Sequence, residues 1–328
     1  MEIILKVIKN KIAFLLPLML LLLVGGCNTG ETGGYSADKF DDVHDGAFNF
    51  ILASDLGRNG YYDQKPVALE MGLLAERIDI EFVAVAGDLF HHLGLQSVSD
   101  PLWMTNFELI YDHPELQIEW YPVPGNHEYR GNVQAGIDYS NISRRWNMPD
   151  RYYTRSFEIE DDATFRVVFI DTPPLMDKYR YSEEYSDAGG QDMERQLQWI
   201  DSVLAVSQET WKIVIGHHPI HAGTAKDDEE RIDMQNRLDP ILRKHDVDFY
   251  LCGHIHNFQH IRMEGSGIDY VVNTSASLSR KVESIDGILF SSPATGFSVV
   301  SVTPDSLKLH MLDKNGALLH TVKRGKSN

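Results

Sequence analysis

Histidine, aspartate and one asparagine recur in five short blocks of this chain: Asp55-Leu-Gly57, Gly87-Asp88-Leu-Phe-His91-His92, Gly125-Asn126-His127-Glu128, Gly216-His217-His218-Pro219 and Gly253-His254-Ile-His256. With His221, eight of the 14 histidines fall in or beside these blocks. Carboxylate, amide oxygen and neutral imidazole together form a donor set for borderline and hard divalent cations. Only two cysteines occur in 328 residues, so thiolate sites are excluded by composition. A lone Gly-Asp or Gly-Asn-His is ordinarily a turn, and a lone His-x-His is as readily structural as ligating. Five such blocks in succession, each closing an apolar run, argue instead for one shared metal site. Glycine beside the polar residues permits tight turns and close approach of a substrate.

The elements that must carry these blocks can be read from the apolar runs. Strands are expected at Phe48–Ser54, Glu81–Ala86, Gln117–Val123, Thr164–Ile170, Trp211–Ile215 and Val247–Leu251. Helices are expected over Pro66–Ile78, where Leu69, Leu73, Leu74 and Ile78 recur at three- and four-residue spacing, and from Ser99-Asp-Pro onward. Two more are expected at Asp192–Val206 and Arg231–Lys244, and from Ile268 the chain alternates in short β runs. Strand, loop and helix repeat and then give way to a β-rich tail. That order predicts an α/β body with a largely buried sheet and a second sheet beside it. The polar blocks sit at the carboxyl ends of the predicted strands, where open α/β sheets hold their ligands.

Composition narrows the setting. The chain is 43% hydrophobic and 24% charged, an ordinary globular balance, and its net charge of −18 argues against gripping nucleic-acid backbones or anionic membrane surfaces. Lys6, Lys9 and Lys11 precede an apolar run from Ile12 to Val24, shorter than the ~20 residues a membrane-spanning helix needs. The run closes on Val24-Gly25-Gly26-Cys27, which resembles the lipobox of bacterial lipoproteins. The resemblance implies that residues 1–26 are a cleaved signal peptide and that Cys27 is lipidated. A plain secretory signal or short anchor with an incidental cysteine is the alternative. Residues 27–46 read as a flexible tether and 47–328 as a single domain, lipid-anchored in the bacterial cell envelope and facing the periplasm or exterior. Cys252 is then left without a disulfide partner.

The five blocks, with Gly131-Asn-Val, Tyr139-Ser, Ile142-Ser, Arg145-Trp146-Asn, Tyr250-Leu-Cys-Gly-His and Asn257-Phe-Gln between and after them, resemble the calcineurin-like metallophosphoesterases. More narrowly they are similar to the small, tartrate-resistant type of purple acid phosphatase, over roughly residues 47–322. The resemblance implies an αββα fold, a two-sheet β-sandwich flanked by helices with a dinuclear metal site at one edge. It implies a first ion held by Asp55, Asp88, His256 and the residue at the family's tyrosine position, and a second held by Asp88, Asn126, His217 and His254, with Asp88 bridging. The implied activity is hydrolysis of small phosphomonoesters by attack of metal-bound hydroxide. His127 is then the general acid, and Asn126, His127 and His221 contact substrate. A phosphodiesterase or nucleotide pyrophosphatase could use the same site, and a catalytically silent binding lipoprotein is a remoter reading.

One position departs from the family. His91 stands where the tyrosine is expected, and imidazole is neutral where phenolate is anionic. Two divalent ions with Asp55, Asp88 and a neutral His91 leave the same net charge as a ferric–divalent pair with one more anionic ligand. Both ions are therefore expected to be divalent, as Fe, Zn or Mn, with ferric iron disfavoured. Smaller readings stay open: His127 could cap its loop, His92, His218 and His221 could touch phosphate or be surface histidines, and Asp171 is expected to orient a ligand or loop.

Overall fold

The computed structural model describes residues 46–226 and 228–326. The expected signal peptide, the lipidation candidate Cys27 and the expected tether up to residue 45 lie outside the described residues. Among these, thirteen strands occur: β1 Phe48–Ala53, β2 Phe82–Val85, β3 Glu119–Pro122, β4 Tyr153–Glu158, β5 Thr164–Phe169, β6 Trp211–Ile215 and β7 Phe249–Cys252, then β8 Phe258–Ile261, β9 Asp269–Val272, β10 Ile288–Ser292, β11 Gly296–Val302, β12 Ser306–Asp313 and β13 Leu318–Gly325. They form two mixed sheets, one of order β13-β12-β11-β1-β2-β3 and one of order β10-β8-β9-β7-β6-β5-β4. β1, β2 and β3 run parallel, as do β5, β6, β7 and β9.

Side-chain alternation along these strands explains why they read as unbroken apolar runs. Phe50 and Leu52 of β1 join Phe82, Phe165, Val167, Ile213, Leu251, Val300 and Leu309 in a core between the sheets. Ile51 and Ala53 of the same strand face the opposite way, into a second core with Met71, Leu74, Val168, Val214 and Cys252. A strand buried on both faces has no polar face to show. Fully burying each large side chain contributes about 1.5–3 kcal/mol. The helix Gln64–Ala75 covers one sheet through Val67, Met71 and Leu74. The αββα expectation holds.

Boundaries differ where local chemistry intervenes. The helix expected over Arg231–Lys244 is two, Glu229–Arg237 and Asp239–Lys244, with Pro240 in the first turn of the second. The one expected from Ser99-Asp-Pro is short, with a π-type turn over Met104–Glu108. β4 and β8 had no predicted counterpart.

Candidate metal centre

Each polar block turns sharply at the carboxyl end of its strand. Asp55, Asp88, His254 and His256 have φ between +51° and +69°, the left-handed region that non-glycine residues rarely occupy. Such backbone costs about 1–3 kcal/mol per residue and persists only when its surroundings fix it. Around Asp55 that fixing is visible: its carbonyl accepts the hydroxyls of Ser275 and Ser277, each at 2.8 Å, and its Oδ2 accepts the His254 amide at 2.9 Å. Around Asp88 the fixing group is Glu128. Its Oε2 accepts the amides of Asp88 and Gly125, at 2.9 and 2.7 Å, and its Oε1 accepts that of Phe90 at 3.1 Å. A β-carbon on Gly125 would lie 2.2 Å from Asp88 Oδ1, so only glycine lets this loop close over the aspartate.

The imidazoles then show one consistent orientation. Nδ1 of His91 faces the Gly57 carbonyl at 3.1 Å, that of His127 the His92 carbonyl at 2.8 Å, that of His217 the Ala86 carbonyl at 2.7 Å, and that of His256 the Leu278 carbonyl at 2.6 Å. A carbonyl can only accept, so each of these Nδ1 atoms carries a proton, the shorter carbonyl contact outweighing Arg130 Nη1 at 3.2 Å from His127 Nδ1, and in the neutral ring each Nε2 is bare. His254 is turned the other way: its Nε2 lies 3.0 Å from Glu230 Oε2 and 2.7 Å from Lys226 Nζ, and with the Nε2 proton given to the carboxylate its Nδ1 is bare.

The bare nitrogens converge on carboxylate and amide oxygens that likewise carry no proton. His256 Nε2 lies 3.0 Å from Asp55 Oδ1. His217 Nε2 lies 3.2 Å from Asp88 Oδ2, 3.2 Å from His254 Nδ1 and 3.3 Å from Asn126 Oδ1. His91 Nε2 lies 3.5 Å from Asp88 Oδ2 and has no hydrogen-bond partner, as Asp55 Oδ1 has none. His127 Nε2 stands at 3.8 Å from Asp88 Oδ2. Lone pairs facing lone pairs in a buried site repel unless a cation lies between them. Two ligands each ~2.1 Å from one ion sit about 3.4 Å apart, the spacing found here. The donor set Asp55–His91–His256 and the set Asp55–Asp88–His217 each fall within 4.8 Å. The residues present therefore fit a metal centre, and Asp88, shared by the groups around His91 and His217, lies between its halves.

Electrostatics agrees with this reading. Burial opposes charge on His217, yet the adjoining Asp88 carboxylate pushes its pKa up to about 9, a proton standing in for a cation. Burial pushes His91 well down, against the pull of Asp88. Asp88 is held well below the ordinary carboxylate range despite its burial, chiefly by His217. Glu128 is pushed up to about 7 by burial and by Asp88.

The remaining candidates of the sequence take different positions around the cluster. His221 Nδ1 accepts from the Gln235 side-chain amide at 3.2 Å and its ring packs edge-on against Tyr270; these contacts do not join it to the cluster, and its role in substrate binding stays an expectation. His218 is not a surface residue: it is fully buried between Thr172 and Tyr179, at 2.8 and 2.9 Å, and packs against His217 and His254, with which it forms a further group of donor atoms within 4.8 Å. Asp171 accepts the Tyr129 hydroxyl at 2.5 Å and holds that loop. His92 is exposed, with Arg58 at 3.3 Å. Sequence reasoning gave no role to Glu128 or Glu230. The first was visible as an acid three residues after Gly125, and the second was hidden in the charged run before a helix.

Three comparisons bear on this site. A calcineurin-like phosphoesterase family model matches residues 48–258. The chain is 35% identical to purple acid phosphatase 3 of Arabidopsis thaliana over 295 residues, covering 85% of this chain and 78% of that protein. It is 30% identical to tartrate-resistant acid phosphatase type 5 of Mus musculus, covering 77% and 81%. In fold it is similar to GAP50, the anchor in the inner membrane complex of Plasmodium, with a TM-score of 0.74, 20% identity, and coverage of 86% and 90%.

Proposed function

This chain belongs to the calcineurin-like phosphoesterases and is a metallophosphoesterase, and from that footing we propose that it hydrolyses small phosphomonoesters at a centre of two divalent metal ions. The observation that carries the proposal is the convergence of unprotonated nitrogens and oxygens on Asp88. Asp55, His91, His256 and Asp88 would hold one ion, and Asp88, Asn126, His217 and His254 the other. When bound, such a pair supplies an activated water and neutralises the phosphoryl oxygens.

The chain's own residues supply the remainder. Asp88 Oδ1 accepts the His127 amide at 2.9 Å, which ties the His127 loop to the bridging carboxylate. The His92 carbonyl pins His127 Nδ1 and turns Nε2 toward the reacting groups, so His127 can deliver a proton to the leaving oxygen. Burial holds its pKa below the ordinary imidazole value, against the pull of Asp88, so its acid form is populated on the acidic side of neutrality. Asn126, beside it, shares this mouth with the substrate. His91 in place of phenolate favours a divalent ion over a ferric one.

The leader supports a lipid anchor at Cys27 and hydrolysis outside the cytoplasm, in the bacterial envelope, where phosphate could be released from compounds that do not cross the inner membrane. A purely anchoring role, of the kind named for the Plasmodium neighbour, would leave no reason for this chain to keep so many repelling lone pairs together. The test is an assay of purified protein on an aryl phosphomonoester and the matching diester, with and without chelator. Metal-dependent turnover of the monoester supports the proposal, turnover of the diester alone replaces it with a phosphodiesterase, and no turnover of either overturns it.

A further inference from the structure

Three cations stand around the mouth of the metal centre on three separate loops, and among the described residues none of them pairs with a carboxylate within ion-pair distance. Arg58 follows the Asp55 loop; it is half-buried, its guanidinium lies 3.3 Å from His92 Nε2, and its Nε is buried with no hydrogen-bond partner. Lys226 precedes the helix Glu229–Arg237, with Nζ 2.7 Å from His254 Nε2 and 3.1 Å from the His254 carbonyl. Arg280 is exposed, and its amide donates to the His256 carbonyl at 2.7 Å. Most other arginines of the body are matched to acids, as Arg145 is to Glu108, Arg151 to Asp187 and Arg237 to Asp177. Arg58 and Lys226 both sit in the field of Asp55 and Asp88, which the metal ions would neutralise, and Arg280 approaches each of the two closely enough to act unfavourably on it. In a chain of net charge −18 this gathering needs a reason.

Lys226 supplies a second argument. His254 carries its proton on Nε2 when Nδ1 faces a cation, because a neutral imidazole has only one N–H. That proton goes to Glu230. Lys226 then loses Nε2 as an acceptor and keeps only the His254 carbonyl. An ammonium has three N–H donors, so at least two are left to seek an acceptor at the mouth.

A single phosphoryl group across two metal ions already has its charge met there, and three further cations would be surplus to it. We propose that Arg58, Lys226 and Arg280 form a second anion subsite, which holds the further phosphate of a small substrate carrying two phosphates close together, as a diphosphate or bisphosphate. The proposal rests on the phosphatase reading above and narrows its substrate class.

The test is calorimetric titration of the metal-loaded protein with inorganic phosphate and with methylenediphosphonate, whose two phosphoryl groups cannot be hydrolysed apart. The wild type should bind the diphosphonate at least ~10-fold more tightly than phosphate, as charge-assisted contacts to a second anion would give. Chelation of the ions alone could produce such a ratio, so the decisive measurement is on Arg280→Gln, which is exposed, and on Lys226→Gln. Each should lower the diphosphonate-to-phosphate affinity ratio by about 5- to 20-fold, mainly through the diphosphonate. A wild-type ratio near one, or a ratio unchanged in both variants, overturns the subsite. Hydrolysis of a monoester with no such ratio removes this subsite and leaves the phosphatase reading standing. The ratio without any hydrolysis does the reverse.

Discussion

Every imidazole of the centre has its outer nitrogen spoken for by a carbonyl or a carboxylate, and this makes single-residue consequences separable. Glu230 touches no reacting atom, but it fixes His254 with Nδ1 inward, and Tyr179 and Lys178 in turn hold its Oε1 at 2.6 Å each. Carboxylate partners of ligating histidines typically contribute 10- to 100-fold in metal affinity. Glu230→Gln should therefore weaken one of two metal equivalents by about that factor in a chelator competition and spare the other. Equal weakening of both would assign Glu230 a merely structural role. His127→Ala should keep both ions and lose about 10²–10⁴ in rate, with a smaller loss for substrates whose leaving groups need little protonation. A loss independent of the leaving group would remove the general-acid role. Because His91 offers imidazole where phenolate is expected, iron-loaded wild type should be pale, and His91→Tyr reconstituted with iron in air should gain the visible phenolate-to-iron band.

The loops that bring these groups together impose their own constraints. Gly125→Ala would drive a methyl into the Asp88 carboxyl and also to 2.7 Å from the Asp88 amide, which is backbone and cannot swing aside. Metal binding should suffer first, with a stability loss of about 1–3 kcal/mol read as a lowered Tm. At the end of β5, burial pushes Asp171 up to about 7. The folded chain thus keeps a proton that the unfolded chain releases near pH 4, so stability from this group is full below about pH 4 and declines toward pH 7. Asp171→Asn should flatten the fall of Tm between those values, and an unchanged or steeper fall would contradict the assignment. The strands carrying the ligand loops were legible in the sequence because β1, β2, β3, β5, β6 and β7 are apolar on both faces or nearly so. β4 was not, since it is an edge strand of alternating half-exposed residues. Nor was β8, whose buried Gln259 and His260 look polar until Gly223 and Asp269 are seen to pair with them. The ligand candidates were legible as residue types beside glycines. Glu128 and Glu230 were not, because their roles depend on contacts that no local pattern encodes.

At the scale of the whole molecule, two parallel strand runs on different sheets deliver their carboxyl ends to one place, and the cluster formed there links residues as distant as Asp55 and His256. An ion pair bound at such a junction binds the folded chain alone, so chelation should lower Tm as well as activity. The leader makes a separable prediction: Cys27→Ser should move the protein from the membrane to the soluble fraction or leave it unprocessed, whereas a wild-type protein found soluble would contradict the anchor. The most direct test of the central claim is equilibrium metal titration of the chelator-treated chain beside Asp88→Ala. The account predicts two tightly held divalent ions per wild-type chain, with phosphomonoesterase activity returning as they bind. It predicts that Asp88→Ala, lacking the carboxylate shared by both halves, loses affinity at both positions together. Fewer than two ions on the wild type, or two held undiminished by Asp88→Ala, would contradict it.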